Sequence, residues 1–392
     1  MNNEASSADP SRLAIVAGEA SGDLLASGVL SDLNRRSLAL IAEGVAGPKM
    51  QSQGVRALYS SDRLAVRGYA EVLRHYVGIV RIRNELIQRW STPQTQPSVF
   101  IGVDAPDFNL PLALALKTKG VPCFQYVCPA IWAWRAERIH LMKKALTHVW
   151  CLFPFEEPLL KENGLDATYV GHPLAEWIPE QVDVMRSRES LGLDPHRPVL
   201  ALLPGSRKAE LDGLLTLFLS ASRQLLSRHP DLQFVLPALP RFLERVRHEV
   251  DLMGMTERVR VLAGQSHDAM ACADVVMVAS GTATLEAALY KKPMVIAYRM
   301  PWLTWQITRK KKRMDWVGLP NILLNEWVVP ELIQDHCTEH ALINEAHRLL
   351  TDRGACAHIQ SRFSSLHHLL KRPTHELIWA SIAPHLSHAA PI

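Results

Sequence analysis

Val278-Ala279-Ser280-Gly281-Thr282-Ala283-Thr284-Leu285-Glu286-Ala287-Ala288-Leu289 decides how the chain is read. It follows the apolar run Ala273-Asp274-Val275-Val276-Met277, which reads as a buried strand. It then turns through small hydroxyl residues and a glycine into an Ala/Leu/Glu-rich helix. The start of such a helix points free N–H groups and the positive end of its dipole at one spot. That is an anion site, with phosphate as its usual guest. A second turn of this kind lies upstream, where Val199-Leu200-Ala201-Leu202-Leu203 runs into Pro204-Gly205-Ser206-Arg207-Lys208-Ala209-Glu210. Small-residue turns are common in α/β folds, so either one alone is weak. The pair, one carrying an arginine, implies a diphosphate.

The chain of 392 residues is long enough for two to three domains. Its 48% hydrophobic and 21% charged content is that of a well-cored globular protein. A formal charge of +4 is small for this length and gives no footing for nucleic acid. The polar segment Met1 to Arg12 lacks the apolar run of a signal peptide, and no uncharged stretch reaches the roughly 18 apolar residues of a spanning helix. The six cysteines include no C-x-x-C pair, so neither zinc nor redox chemistry is indicated; Cys123, Cys151 and Cys272 read as small core residues. A reduced, cytoplasmic setting fits this usage.

Short apolar runs alternate with helical patterns, the mark of parallel sheets covered on both faces. Strands are expected at Leu13–Ala17, Ser98–Val103, Cys123–Val127 and Thr147–Leu152. In the second half they fall at Val199–Leu203, Gln233–Leu236, Arg258–Leu262, Asp274–Ala279 and Met294–Ala297. Gly171-His172-Pro173-Leu174 leads into a domain boundary near residues 175–185. The first half has its own glycine turn, Ala17-Gly18-Glu19-Ala20-Ser21-Gly22-Asp23. It is not G-x-G-x-x-G, which argues against a standard dinucleotide site. Two doubly wound domains in series offer a ligand the carboxyl ends of both sets of strands.

The glycine turn, Gly102-Val103-Asp104-Ala105-Pro106-Asp107-Phe108-Asn109, Ile131-Trp132-Ala133-Trp134-Arg135, Leu203-Pro204-Gly205-Ser206-Arg207, the Ser280 turn and Leu319-Pro320-Asn321 come in the order found in the lipid-A-disaccharide synthase family. The chain resembles that family from about Ala14 to about Leu324, and more weakly beyond. The resemblance implies an inverting GT-B glycosyltransferase: two Rossmann-like domains facing across a cleft, with a C-terminal helix crossing back to the first. The implied division is an acceptor domain at 1–178 with the returning helix at about 366–392, and a UDP-sugar domain at 179–365. The implied reaction joins UDP-2,3-diacylglucosamine to 2,3-diacylglucosamine 1-phosphate, giving a β-1,6-linked disaccharide and UDP. No cofactor or metal is implied.

Asp104 ends the strand Val99–Val103, and Pro106 bends the chain after it, which suits a base for the acceptor hydroxyl. The plain alternative is a cap on a helix starting near Leu110, a role that suits Asp107 better. The donor's diphosphate is expected at Gly205, Ser206, Arg207, Ser280, Gly281 and Thr282. Glu286 is placed to accept from ribose hydroxyls, and Asn321 to touch the diphosphate or donor sugar, though Asn is also a plain turn former. Glu19, Ser21 and Asp23 are acceptor-site candidates, with either carboxylate able to cap the helix from Leu24 instead. His172 is either a donor contact or a buried linker histidine.

Tyr69, Val72, Leu73, Tyr76, Val77 and Val80 follow helical spacing, with Ile79, Ile82 and Leu86 as a second apolar line. Arg67, Arg74 and Arg81 recur every seven residues, and Arg83 and Arg89 lie nearby. A broad apolar surface edged by arginines suits an anionic bilayer surface, against the alternative of a core helix with solvated arginines. Trp302–Ile307, the basic run Arg309–Arg313 and Trp316 form a second candidate for lipid contact. The expected location is thus peripheral, on the inner face of the cytoplasmic membrane. The oligomeric state is open, with a homodimer as one option. Two competing functions are a non-hydrolysing UDP-sugar 2-epimerase and a non-catalytic nucleotide-sugar-binding protein docked on membranes.

Overall fold

The computed structural model describes residues 10–36, 39–64, 69–133, 135–300 and 316–386, with the backbone alone at 69–76. Its residues divide into two units. One runs to Pro173 and resumes at Arg372; the other is Leu174–Lys371.

The first unit is a seven-stranded parallel sheet: β1 (Ser11–Ala17), β2 (Leu40–Ala46), β3 (Arg56–Ser60), β4 (Val99–Val103), β5 (Cys123–Tyr126), β6 (His148–Cys151) and β7 (Ala167–Tyr169). Its order is β3-β2-β1-β4-β5-β6-β7. The helices are α1 (Ala20–Arg35), α2 (Pro48–Ser52), α3 (Tyr69–Trp90), α4 (Pro106–Lys117), α5 (Arg138–Ala145) and α6 (Glu156–Glu162). The apolar runs of β1 and β4 are buried almost throughout, because helices cover both faces of a parallel sheet. The order reverses between β1 and β4, and at such a switch point the loops leaving the two strands part and open a crevice.

The second unit repeats the plan with α7 (Leu174–Trp177), α8 (Val184–Ser190), β8 (Val199–Leu203), α9 (Lys208–Leu225), β9 (Gln233–Ala238), α10 (Leu243–Leu252), β10 (Val259–Ala263), α11 (Ser266–Cys272), β11 (Val275–Ala279), α12 (Thr282–Leu289) and β12 (Met294–Tyr298). After residues outside the description come α13 (Leu319–Leu324), β13 (Glu331–Ile333), α14 (Glu339–Thr351) and α15 (Arg353–Leu370). The parallel order β10-β9-β8-β11-β12-β13 puts this switch point between β8 and β11.

The division falls at 173/174 and 371/372 rather than at the expected 178/179 and 365/366. α7 stays with the second unit because the carbonyl of Ala175 accepts from His367 Nε2 of α15 at 2.8 Å. The last helix, α16 (Thr374–Ile382), packs on the first sheet. There Ile378 and Ile382 are buried, Trp150 Nε1 donates to Ser381 Oγ at 2.7 Å, and Arg36 pairs with Glu376 and lies over Trp379.

Two helices begin earlier than expected. α1 starts at Ala20 rather than Leu24, and α4 at Pro106 rather than Leu110. Proline fits the first turn of a helix because its missing N–H would have no partner there. Five of the six cysteines are buried and all are free thiols, including Cys123, Cys151 and Cys272.

Candidate functional site

In the second unit the two quoted turns leave neighbouring strands, β8 and β11, side by side at the switch point. Gly205, Ser206, Arg207 and Glu210 line one side of a cavity of 340 Å³, and Ser280, Gly281, Thr282 and Glu286 line the other. That size lies within the usual range for small-ligand pockets, roughly 300–1,000 Å³. Seven of the eight expected donor residues therefore meet around one space.

The two turns are not equivalent. At the first, the Glu210 carboxylate reaches back and accepts from Ser206 N at 2.8 Å and Arg207 N at 3.1 Å. This is half of a capping box: the N3 carboxylate takes the N-cap N–H, while the N-cap arginine, a donor only, accepts none in return. Gly205 takes a positive φ of 120°, and a Cβ there would lie 2.4 Å from Glu210. The fit between glycine and carboxylate is tight, so the backbone N–H groups expected to hold phosphate are already used. The Arg207 side chain, 64% exposed, remains at the rim, and Arg241 joins it by donating to Ser206 O at 3.0 Å. At the second turn the N–H groups of Thr282 and Ala283 have no partner among the described residues, and a Cβ on Gly281 would meet open space. The backbone N–H groups open to an anion are thus at α12.

One residue with no sequence signal contacts the lining from behind Glu286. His267 lies 3.8 Å from Glu286 and edge-on to Tyr290. The Glu286 carboxylate raises the His267 pKa against the opposing effect of burial. Asn321 does not join the cavity. It is fully buried, donates to Val329 O and Glu331 Oε1, and accepts from Val328 N and Val329 N. Its amide is used up in pinning α13 to the start of β13, so the expected ligand contact gives way to a structural role.

In the first unit Asp104 follows β4 directly. Asp104 and Ala105 are both left-handed, with φ of 50° and 41°. Such backbone costs on the order of 1–3 kcal/mol per residue and persists only where surroundings enforce it. Two fully buried amides enforce it here: Asn109 Nδ2 and Gln125 Nε2 donate to the Asp104 carbonyl at 2.8 and 2.9 Å. Gly18 packs against the same turn, where a Cβ would lie 2.7 Å from that of Ala105. Its neighbour Glu19 is thereby brought up to Asp104. Burial, then the Glu19 charge, hold the Asp104 carboxyl above the ordinary carboxylate range, with the Ala105 N–H opposing.

Neither aspartate caps a helix. Ala105 holds the N-cap position, and Asp107 instead pairs with Arg135 at 3.2 Å and, more closely, with Arg138. Asp23 is also structural: its buried carboxylate accepts from Gly47 N, Lys49 N and Met50 N, closing the start of α2. Ser21 is exposed in the first turn of α1. His172 is buried against Phe153, and burial lowers its pKa to about 4. Trp132 Nε1 donates to Glu156 at 3.0 Å, and that carboxylate also accepts from Leu152 N and Phe153 N. Burial raises Glu156 to about 8.

The surface reading of α3 needs correction over its described half. Ile82, Leu86 and Trp90 are core residues, and Ile79 packs partly against them. Val80 is half-buried. Arg81 is exposed and paired with Glu85. Val77, 77% exposed, is the large apolar side chain left to solvent on this half. The side chains of Tyr69, Val72, Leu73, Arg74 and Tyr76 lie outside the description, as do Arg67, Trp134, Trp302–Ile307 and Arg309–Arg313. No helix among the described residues is long and apolar enough to cross a membrane.

Two doubly wound units of this kind define the GT-B class of nucleotide-sugar enzymes. Solved structures share the fold at low identity. A UDP-GlcNAc 2-epimerase from Neisseria meningitidis matches with a TM-score of 0.63 and 12% identity, over 95% of this chain and all of its own. A glycosyltransferase from Rickettsia africae matches at 0.57 and 10%, over 96% and 97%. The fold alone does not separate transfer from epimerisation, but the sequence does. Residues 13–381 match the family described as lipid-A-disaccharide synthetase. A lipid-A-disaccharide synthase from Albidiferax ferrireducens is 47% identical over 372 residues, 93% of this chain and 95% of the relative. The chain belongs to the lipid-A-disaccharide synthase family, glycosyltransferases that form the lipid A disaccharide.

Proposed function

We propose that the second unit binds UDP-2,3-diacylglucosamine and that the first binds 2,3-diacylglucosamine 1-phosphate and supplies Asp104 as base. The C6 hydroxyl of the acceptor attacks the donor's anomeric carbon from the face opposite UDP. Its proton passes to the Asp104 carboxylate, the C–O bond to the diphosphate breaks, and configuration inverts. Free N–H groups at the start of α12 and the Arg207 guanidinium receive the charge that develops on the diphosphate. Glu286 accepts from ribose hydroxyls. Asp104 suits the base role because its raised pKa makes it a stronger base than an ordinary carboxylate. Glu19 and Ser21 border the acceptor. With two lipid substrates, the enzyme works at the cytoplasmic face of the inner membrane, held there by surface contact.

The observation that carries this reading is the meeting of Arg207, Gly281, Thr282 and Glu286 around one cavity. The test mixes purified protein with both lipids and follows UDP release together with disaccharide formation. Asp104→Asn is expected to lose about 10² or more in rate, the usual worth of a general base, with UDP affinity intact. Arg207→Ala is expected to weaken UDP about tenfold. That is the low end for a hydrogen bond to a charged group, since the side chain is well solvated. Near-normal turnover of the first variant, or unchanged UDP affinity of the second, removes that residue from its assigned role.

A further inference from the structure

We propose that Arg135 and Arg138 form a phosphate monoester site for the acceptor's 1-phosphate, and that Asp107 occupies this site in the free protein. The inference rests on Asp104 serving as the base. Arg135 Nη1 and Arg138 Nη2 both donate to one oxygen, Asp107 Oδ1, from 28 and 31 residues away. The two arginines are sheltered to different degrees, Arg138 11% exposed and Arg135 44%, while the carboxylate between them is 77% exposed. An ion pair to so exposed a carboxylate adds about 0–1 kcal/mol at best. Planar guanidiniums converging on one point are suited to a phosphate, which offers three acceptor oxygens and nearly two charges where a carboxylate offers two and one.

Trp132, three residues before Arg135, is tied to buried Glu156 and set edge-on to Phe155 at 5.1 Å. Arg138 opens α5. Position supplies the second argument. Asp107 is three residues from Asp104, a span of at most about 10 Å. In the acceptor, one sugar ring separates the C6 hydroxyl from the phosphate on C1. A hydroxyl presented to Asp104 leaves that phosphate within reach of the arginine pair.

The experiment measures steady-state transfer in neutral detergent micelles with two acceptors, the natural 1-phosphate and an analogue bearing a free anomeric hydroxyl. Arg135→Ala is expected to raise KM for the phosphorylated acceptor about tenfold or more, the scale of a charge-assisted contact. Its kcat and UDP affinity should stay near wild type, and the analogue should show no added penalty. Arg138→Lys, which keeps the charge and spares the packing, should give a smaller effect of the same kind. Asp107→Asn should lower KM for the phosphorylated acceptor alone. Equal losses with both acceptors would overturn the site, as would an effect seen only on anionic vesicles, which would assign the arginines to bilayer phosphate. If the wild type makes disaccharide and the variants do not discriminate the two acceptors, the site fails and the reaction stands. If the wild type releases no UDP, the functional reading fails first.

Discussion

Replacing Val77 and Ile82 of α3 separately by serine should give opposite outcomes. Ile82 belongs to the core under β1 and β4, together with Leu86 and Trp90 one and two turns on. Cutting a buried aliphatic side chain back costs roughly 2–5 kcal/mol. In a unit of this size each kcal/mol lowers Tm by about 2–4 °C, so Ile82→Ser should melt roughly 4–20 °C early. Val77 is 77% exposed. Fully burying a valine is worth about 1.5–3 kcal/mol, so moving the exposed part into lipid is worth roughly 1–2 kcal/mol. Val77→Ser should therefore weaken binding to anionic vesicles roughly 5- to 30-fold while melting normally. Sedimentation with vesicles across a salt series, beside a thermal melt, reads both effects; added salt should weaken binding of the wild type. Unchanged vesicle binding by Val77→Ser would refute the lipid contact of α3. A wild-type melt for Ile82→Ser would refute its place in the core.

Glu19→Gln removes a like charge that helps to raise the Asp104 carboxyl. The base form is the ionised one, so activity falls as pH drops through the Asp104 pKa. The acid limb of the rate profile should move to lower pH in this variant, and an unmoved limb would disconnect Glu19 from the base. Asn321→Ala orphans the N–H groups of Val328 and Val329 in the interior, at about 1–3 kcal/mol each. A thermal melt should show a clear loss of stability, while UDP affinity below the melt stays near wild type. A lost affinity with a normal melt would return Asn321 to the ligand.

The central strands were legible because parallel strands buried on both faces read as unbroken apolar runs. The strands that the sequence hid are β2, β3, β7 and β13, and each has a reason. β2 carries Glu43 and Gly44, and that glutamate is tolerated only because Arg89 and Trp90 of α3 donate to it. β3 is short and largely exposed, while β7 and β13 have three residues each. In the second unit the two turns and seven of the residues expected around them could be placed at one cavity from the strand-turn-helix pattern. Glu210 was hidden because the N-cap it braces is an arginine, not the serine or threonine that marks a capping box in a sequence. The arginines on Asp107 lie far away in sequence, and only the fold brings them together. Asn321 misled because a Pro-Asn turn looks the same exposed or buried.

The first turn of the second unit and the Arg135–Arg138 pair each hold a carboxylate of the chain itself, yet the two carboxylates behave differently. Glu210 is largely sheltered, accepts two backbone N–H bonds, and is packed on Gly205. Removing it would orphan two donors, so it stays when ligand arrives, and its work is to hold the Arg207 backbone in position. Asp107 is mostly in water and has only the guanidiniums to lose. Turning it aside costs little because solvent already hydrates it, while a phosphate arriving with more charge regains those contacts. The same pairing of carboxylate and donor therefore serves as a fixed brace in one unit and as an exchangeable occupant in the other. Solvent exposure sets the difference, because it fixes what each carboxylate would lose on leaving.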